Sequence, residues 1–212
     1  MTGVKDRLLT TIAGQLGNPH GVLGKGVAFV LNRGNKRAIA AAVDAASPTA
    51  GATVADIGFG GGVGLELSLA RVGAEGMVHG IEPSADMLVR ARGRFAMELA
   101  EGRLALADGT LTALPLPDAS LDAAITVNTI YFLADLPAAC DELARVLRSG
   151  GTAVIGIGDP EAMATMPFTP YGFTLRPVAD VVAALSSAGL TVEQRTLANP
   201  PIPHHLLIAR KV

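Results

Sequence analysis

The chain has 212 residues, enough for one α/β domain with an N-terminal extension; half of its residues are hydrophobic and only 17% are charged. It carries 17 Lys and Arg residues against 19 Asp and Glu residues, with no basic run. Because a duplex binder clusters cations against phosphates, this charge pattern argues against nucleic acid as a partner.

Membrane insertion, secretion and cysteine chemistry are not expected either. Apolar stretches such as Ala38–Ala46 are broken by charge before the roughly 18 residues that a membrane span needs. Residues Met1–Arg7 contain no apolar signal-peptide core, and Cys140 is the only cysteine. His, Asp and Glu form no tightly spaced cluster, so no metal is expected. A reducing cytoplasm suits such a chain, and we expect a monomer or a homodimer.

The first 48 residues are predicted to form a helical cap. Helical stretches cover about Val4–Leu16 and Lys25–Ala46, separated by the glycine-rich segment Gly17–Gly21. Ser47-Pro48 ends the second stretch. We therefore expect a cap over residues 1–48 and a main domain over residues 49–212.

From Thr53 onward, short β-branched runs alternate with helical periodicity, which is the pattern of βαβ units in a mostly parallel sheet. One predicted helix carries Met87, Ala91 and Phe95 at four-residue spacing, with Ser84 at its N-cap. The last two strands are joined by residues 197–204, too few for a crossover helix, so they should run antiparallel. The predicted strands are Thr53–Ile57, Met77–Ile81, Leu104–Ala107, Ala123–Asn128, Thr152–Ile157, Leu190–Thr196 and His205–Arg210, and the other predicted helices are Leu65–Val72, Leu136–Leu147 and Pro177–Ala188.

A dense glycine run joins the first strand to the next helix. Glycines there permit positive φ and let the backbone approach a ligand. The spacing is D-x-G-x-G-x-G, from Asp56 through Gly58 and Gly60 to Gly62. Dinucleotide enzymes use G-x-G-x-x-G instead, and here Val63 occupies the place of the third glycine. A cofactor with an ammonium group and no phosphate would benefit from a nearby carboxylate, which Asp56 could supply.

Two further acids stand at the ends of the second and third predicted strands. The two oxygens of Glu82 are suited to the two hydroxyls of a ribose, a role that it would also have in a nicotinamide enzyme. Asp108, followed by Gly109, is suited to the exocyclic amine of an adenine. Because the ligand crevice of an open α/β sheet lies at the carboxyl ends of its strands, the three acids predict a nucleoside site there.

Together these segments resemble the class I S-adenosylmethionine-dependent methyltransferases of the bacterial small-molecule branch, over roughly residues 50–212. One departure is Ser149, which stands where the family often has a proline before Gly150-Gly151. The likeness rests on Asp56–Gly62, Gly80–Leu88, Ala107–Gly109, Leu114–Asp122, Val127–Phe132 and Glu142–Gly151.

The resemblance implies a Rossmann-like α/β fold with a seven-stranded, mostly parallel sheet in the order 3-2-1-4-5-7-6, in which strand 7 is antiparallel. It implies S-adenosylmethionine as cofactor and S-adenosylhomocysteine as product. The cofactor-binding residues that it implies are Asp56, Gly58, Phe59, Gly60, Gly62, Glu82, Pro83, Met87, Asp108, Gly109, Thr110, Asn128 and Thr129.

Methyl transfer is an in-line displacement, so the protein has to align acceptor, methyl group and sulfur, and the catalytic signature in the sequence is weak. A hydroxyl acceptor usually also needs a general base. The candidate bases are Tyr131, Asp159 and His20, with Tyr171 and His204 beside them, although each also suits a structural or pocket-lining role. Tyr131, Asp159 and His204 should face the same crevice.

The segment Asp159–Arg176 is rich in proline, aromatic residues and methionine. This composition predicts an ordered loop over an acceptor pocket. The lining that it offers favours an apolar or aromatic acceptor.

Two other functions stay open at this point. A NAD(P)-dependent oxidoreductase shares the α/β pattern, but Asp135 stands four residues after Tyr131, where a short-chain dehydrogenase has its catalytic lysine. A non-catalytic module that only holds the cofactor would have the same sequence features. Binding and turnover measurements separate these alternatives.

Overall fold

The computed structural model describes residues 35–167 and 169–212. The predicted helix Val4–Leu16, the candidate base His20 and the first part of the predicted helix Lys25–Ala46 lie outside the described residues. Residues 35–46 are helical and form α1. The division between residues 48 and 49 stays a prediction, and α1 already packs three buried side chains against the main core, those of Ala42, Val43 and Ala46.

Seven strands form one sheet in the order β3-β2-β1-β4-β5-β7-β6. β7 runs antiparallel to both of its neighbours, and the other pairs are parallel. The order and the antiparallel last strand confirm the fold predicted from the sequence. The strands are β1 (Thr53–Ile57), β2 (Met77–Ile81), β3 (Leu104–Ala107), β4 (Leu121–Val127), β5 (Leu147–Gly158), β6 (Leu190–Leu197) and β7 (His204–Lys211).

Helices cover both faces of the sheet, so the strands are buried on two sides. Successive strand residues alternate between the faces: Ala124 belongs to the core under α5 and α7, whereas Ala123 and Ile125 belong to the core under α1, α2 and α3. After α1, the helices are α2 (Val63–Val72), α3 (Ala85–Arg94), α4 (Ala96–Ala100), α5 (Leu136–Val146), α6 (Pro160–Ala164) and α7 (Val178–Ser187).

Several element boundaries differ from the prediction by one or more residues, and three of these differences have a clear structural cause. The helix predicted through Phe95 divides there, because Phe95 leaves helical geometry at φ −109° and ψ 31°. β5 begins at Leu147 instead of Thr152, since the fully buried Leu147 pairs with Leu121 before the register shifts. Asn128 lies just beyond β4 with a φ of 60°, so it turns out of the sheet.

The described part of the chain contains neither a candidate membrane span nor a candidate metal cluster. Within residues 35–167 and 169–212, no helix combines the length and apolar character needed to cross a membrane. In the same residues, His, Cys, Asp and Glu side chains do not gather in groups of three or more that could hold a metal ion.

Candidate active site

The glycine-rich turn between β1 and α2 adopts a backbone that glycine favours. Gly58, Gly60 and Gly62 have φ values of 71°, 49° and 78°. A Cβ on Gly58 would collide with Cγ2 of Thr129, and one on Gly62 would lie 2.9 Å from the Phe95 ring. A Cβ on Gly60 would meet open space. The turn therefore packs closely on its neighbours and leaves room above Gly60.

The end of α3 holds this turn from outside. Arg94 Nη1 donates a hydrogen bond to the Gly61 carbonyl at 2.9 Å, and its guanidinium lies 4.9 Å from the centre of the Phe95 ring. Arg94 also pairs with Glu66 of α2. The break at Phe95 thus places a buried ring and a cation against the turn.

Glu82 ties the tip of β2 to the same turn. Its Oε2 accepts a hydrogen bond from the Gly60 N–H at 2.9 Å, and its Oε1 accepts one from the Ser84 N–H at 3.0 Å. Burial raises the pKa of Glu82, while the two backbone hydrogen bonds act in the opposite direction. Each carboxylate oxygen retains a second lone pair, so Glu82 can still accept from two hydroxyl donors.

Asp56 braces the start of α2. Its side chain is buried, and its carboxyl accepts a hydrogen bond from the Leu65 N–H. A Cβ on Gly64 would collide with its Oδ2 atom, so the helix approaches the carboxyl closely. Burial, followed by the charge of Glu82, raises the pKa of Asp56 to about 8. Asp56 is therefore mainly protonated at neutral pH.

A cavity of about 310 Å³ opens at the carboxyl ends of the strands. We call the part that follows β1, β2 and β3 the glycine half; its lining residues are Gly58, Phe59, Gly60, Gly61, Glu82, Pro83, Gly109 and Thr110. We call the part that follows β4 and β5 and precedes β7 the aromatic half; its lining residues are Tyr131, Phe132, Leu133, Met163, Phe173, Ile202 and His204. Asn128 and Thr129, after the central strand β4, lie between the halves.

Most of the predicted cofactor residues line this cavity, and four do not. Asp56 faces α2 and Gly62 packs on Phe95, as described above. Met87, on α3, is buried in the core, and Asp108 is exposed although the next residue lines the cavity. Direct cofactor contacts by these four stay predictions. The predicted residues that line the cavity are Gly58, Phe59, Gly60, Glu82, Pro83, Gly109, Thr110, Asn128 and Thr129.

Part of the wall was not predicted from the sequence. Asn35 and Ile39 of α1 and Leu111 reach the cavity, and no local pattern separates them from their neighbours. Ile202 also lines it, from the proline-rich connection between β6 and β7. Ile202 could have been predicted, because the short connection that contains it lies at the edge of the sheet where the ligand is expected.

Three packed rings build the aromatic half. The ring centres of Tyr131 and Phe173 lie 5.6 Å apart, and those of Phe132 and Phe173 lie 4.9 Å apart. Arg176 fixes the surrounding backbone, because its guanidinium donates to the Ile130 carbonyl at 2.7 Å. Residues from the predicted pocket loop, including Phe173, therefore do form part of the cavity wall.

The hydroxyl of Tyr131 is held inside this wall. It accepts a hydrogen bond from the Gly158 N–H at 2.5 Å, and two acceptors face its single proton, Oδ1 of Asn128 at 3.3 Å and the Gly158 carbonyl oxygen at 3.4 Å. Burial is the main cause that raises the pKa of Tyr131 above its usual value. The hydroxyl therefore keeps its proton at neutral pH and orients the Asn128 amide.

His204 lies at the start of β7 and is 4% exposed. Its Nδ1 lies 3.0 Å from the Ile202 carbonyl oxygen and 3.2 Å from Nδ2 of Asn199. Its Nε2 faces Nδ2 of Asn128 at 3.4 Å. Burial lowers the pKa of His204 most, and the nearby His205 lowers it further, against the opposing effect of the Ile202 hydrogen bond. The imidazole is neutral at neutral pH.

Asp159 does not belong to the cavity wall. It caps α6 by accepting from the Ala162 N–H at 2.9 Å, and it accepts from Nε2 of His205 at 3.0 Å. These hydrogen bonds hold the pKa of Asp159 below its usual value. The helix that it caps carries Met163 into the aromatic half. Tyr171 is likewise absent from the cavity wall formed by the described residues.

Comparison with known proteins agrees with this architecture. A family model described as "Methyltransferase domain" matches residues 55–155. The uncharacterized methyltransferase YdaC of Bacillus subtilis is 30% identical over 136 residues, which cover 64% of this chain and 72% of YdaC. The 2-phytyl-1,4-naphtoquinone methyltransferase of Nostoc punctiforme is 34% identical over 115 residues, which cover 54% of this chain and 50% of the relative.

The fold is shared with solved structures as well. A SAM-dependent methyltransferase from Aquifex aeolicus superposes with a TM-score of 0.70 at 20% identity, over 96% of this chain and 98% of that one. The chain spans about half the length of the curated relatives it matches. The match to the domain family, the coverage of YdaC and the sheet order show that this chain belongs to the class I S-adenosylmethionine-dependent methyltransferases, whose cofactor is S-adenosylmethionine.

Proposed function

We propose that this protein transfers the methyl group of S-adenosylmethionine to a small apolar or aromatic molecule. One observation carries the proposal: the glycine turn with Glu82 and the ring cluster of the aromatic half open into a single cavity. Both halves lie at the carboxyl ends of the strands, on either side of the boundary between the neighbouring strands β1 and β4. A cofactor in the glycine half would therefore face an acceptor in the aromatic half.

The residues of the glycine half fit the cofactor. Glu82 is buried, lies at the tip of β2 and retains acceptor lone pairs for ribose hydroxyls. Gly60 has open space where a side chain would stand, so a ligand can approach its backbone. When bound there, S-adenosylmethionine supplies an electrophilic methyl group on a positively charged sulfur.

The chain's own residues would position the acceptor and keep water away. The wall of the aromatic half consists mainly of Phe132, Phe173, Leu133 and Met163, which offer apolar surface. Displacement at a sulfonium loses charge, so a water-poor pocket favours an uncharged acceptor. Rigid placement is the main contribution that such a reaction needs from the protein.

The lining also indicates the class of acceptor. Flat rings stack well in offset or tilted arrangements with the aromatic side chains of Tyr131, Phe132 and Phe173. The Nostoc relative is named for a naphthoquinone, which is a flat apolar ring system. We therefore propose an aromatic or quinone-like acceptor.

Calorimetric titration with S-adenosylhomocysteine tests the cofactor half of the proposal, with NADH and NADPH as parallel ligands. Gly60→Val should abolish binding, because the new side chain fills the space above the turn. The matched control is Gly51→Val: Gly51 also has positive φ, 79°, and open surroundings, but it lies before β1 and away from the cavity. Binding of a nicotinamide cofactor alone, or equal binding by both variants, would overturn the site.

Turnover distinguishes an enzyme from a module that only holds the cofactor. The protein is incubated with S-adenosylmethionine and a panel of apolar aromatic acceptors, and methylated products are identified by mass. Product formation that Gly60→Val abolishes supports the proposed activity. Tight binding of S-adenosylhomocysteine without methyl transfer to any aromatic acceptor would favour the binding module.

A further inference from the structure

The contacts of His204 assign the proton on its ring. The carbonyl oxygen of Ile202 can only accept a hydrogen bond, and it lies 3.0 Å from Nδ1. Nδ1 therefore carries the proton in the neutral imidazole, and Nε2 carries the lone pair. The Asn199 amide can turn either its oxygen or its NH₂ group toward Nδ1, so it does not decide the tautomer. The backbone carbonyl always presents an acceptor, so it does.

The lone pair faces the region between the two halves of the cavity. Nε2 lies 3.4 Å from Nδ2 of Asn128, a long contact for a hydrogen bond. Oδ1 of the same amide lies 3.3 Å from the Tyr131 hydroxyl, and its NH₂ group faces His204. Asn128 itself has a φ of 60°, in the left-handed region that asparagine adopts more readily than most residues. Tyr131 and Asn128 thus support the imidazole in one orientation.

On these contacts we propose that Nε2 of His204 is the proton acceptor for a hydroxylated acceptor molecule. This inference rests on the proposed function and adds the attacked atom, which is oxygen. The acceptor hydroxyl gives its proton to Nε2 as the oxygen forms a bond to the methyl carbon of S-adenosylmethionine. The carbon–sulfur bond breaks and its electron pair stays on sulfur, which becomes the neutral sulfur of S-adenosylhomocysteine. The imidazolium afterwards releases its proton to water.

Two of the other candidate bases, Tyr131 and Asp159, are less suited to this step. The Tyr131 hydroxyl is protonated and held by the Gly158 N–H, and the carboxylate of Asp159 is engaged with α6 and His205 outside the cavity wall. The titratable groups near His204 are Tyr131 from the segment after β4 and His205 from β7. Since Tyr131 is neutral, His205 is the group that adds to the effect of burial in keeping the His204 ring uncharged.

Long-range ¹H–¹⁵N correlation NMR of the ligand-free protein gives the first test. His204 should be the neutral Nδ1–H tautomer at pH 7, with a pKa below that of free histidine. Assignment uses His204→Gln, whose spectrum lacks the signal. An Nε2–H tautomer, or an imidazolium at pH 7, overturns the proposal without any acceptor in hand.

The second test uses 1-naphthol, 1-naphthylamine and 2-naphthalenethiol as acceptors of one ring size. Naphthol should be methylated on oxygen, and His204→Gln should lower kcat for it by about 10² to 10⁴ with little change in KM. The acidic limb of the kcat profile should disappear in the variant. The matched control is His79→Gln. Burial also lowers the pKa of His79, a histidine of β2, but this residue lies outside the cavity wall. The control variant should therefore keep the acidic limb.

The outcomes separate this inference from the proposed function. If S-adenosylhomocysteine fails to bind, the proposed function fails. If it binds and His204→Gln methylates naphthol with unchanged kcat and pH profile, only the role of His204 fails. Methylation of the amine or the thiol with no O-methylation also overturns the assignment of oxygen as the attacked atom.

Discussion

The Oε2 atom of Glu82 lies 2.9 Å from the backbone nitrogen of Gly60, so one carboxylate joins the ends of β1 and β2. Its second oxygen accepts from Ser84 at the start of α3. The same side chain thus fixes the glycine turn and presents acceptor lone pairs to the cavity. Removing its charge should affect both the turn and the ligand.

We expect Glu82→Gln to weaken the binding of S-adenosylhomocysteine by at least tenfold, about 1.4 kcal/mol. A glutamine amide has one acceptor oxygen, so either the Gly60 or the Ser84 N–H would face an NH₂ group and lose its partner. Calorimetry measures the affinity. The matched control is Glu142→Gln, since Glu142 also accepts a backbone hydrogen bond, from Leu114 at 2.7 Å, but lies away from the cavity. Equal affinities in both variants would contradict the role of Glu82.

Asp56 should make stability depend on pH. Its pKa is raised to about 8 in the folded protein, so between the usual carboxyl range and pH 8 the folded state holds a proton that the unfolded state releases. The free energy of unfolding should therefore fall steadily as pH rises from about 5 to 8, and the decline should level off above the folded pKa. Asp56→Asn keeps an acceptor for the Leu65 N–H and carries no charge, so it should lose this dependence.

Urea unfolding at several pH values measures the effect. The variant should gain stability relative to the wild type from pH 5 to pH 8. Asp141→Asn, on the exposed face of α5, serves as the control for carboxylate removal in general. A constant difference between wild type and Asp56→Asn across this range would show that Asp56 is ionised in the folded state.

The sheet and its ligand edge were predictable because they follow from short-range patterns. The runs at Thr53–Ile57 and Met77–Ile81 have the predicted bounds, and the connection between β6 and β7, only six residues long in the structure, leaves only an antiparallel pairing. Since parallel strands end at one edge, the sequence also placed Gly60, Glu82 and Gly109 near each other. The periodicity of hydrophobic residues and the lengths of the connections are sufficient to predict the strands and the edge at which the site lies.

Side-chain direction at the site was not predictable in the same way. His204 and His205 are adjacent and identical in type, yet the first lines the cavity and the second contacts Asp159, because neighbouring strand residues point to opposite faces. Which of the two faces the cavity depends on the register of β7 against β5. Asp56 likewise turns toward the Leu65 N–H, a partner that exists only once α2 is packed.

A run that resembles the family can also have a purely structural basis. The segment from Leu114 to Asp118 precedes β4 and resembles the family, but its backbone carbonyls and the Asp118 carboxylate bind the guanidinium of Arg145. Glu142 completes this network, and its hydrogen bond from Arg145 lowers its pKa. The resemblance of this run to the family is therefore explained by the hydrogen bonds that attach the loop to Arg145 of α5.

Asp159→Ala should loosen the wall of the aromatic half. The change removes the N-cap of α6 and the partner of His205, which we expect to cost about 1 kcal/mol of stability. Because α6 carries Met163, acceptor binding should weaken while the affinity for S-adenosylhomocysteine stays unchanged. The pKa of Asp159 is lowered, so its stabilising effect should be present at neutral pH and fade as pH falls through the carboxyl range.

Urea unfolding at pH 7 and at pH 4 checks the stability part of this prediction, and 1-naphthol titration of the complex with S-adenosylhomocysteine checks the binding part. Asp159→Asn is the conservative control, since asparagine is also a good N-cap residue. A loss of S-adenosylhomocysteine affinity in Asp159→Ala equal to the loss of naphthol affinity would place Asp159 in the cofactor site instead.

The close approach of Gly58 to Thr129 predicts an energetic coupling between the turn and the segment after β4. Gly58→Ala forces a side chain at a φ of 71°, which costs about 1–2 kcal/mol, and its Cβ collides with Cγ2 of Thr129. Thr129→Ser removes that methyl group and keeps the hydroxyl, which lies 2.5 Å from Oγ1 of Thr126. The double variant should therefore be more stable than the sum of the single changes by about 0.5 kcal/mol or more. A double-mutant cycle in urea measures this coupling, and strictly additive losses would mean that the turn shifts away from Thr129 without strain.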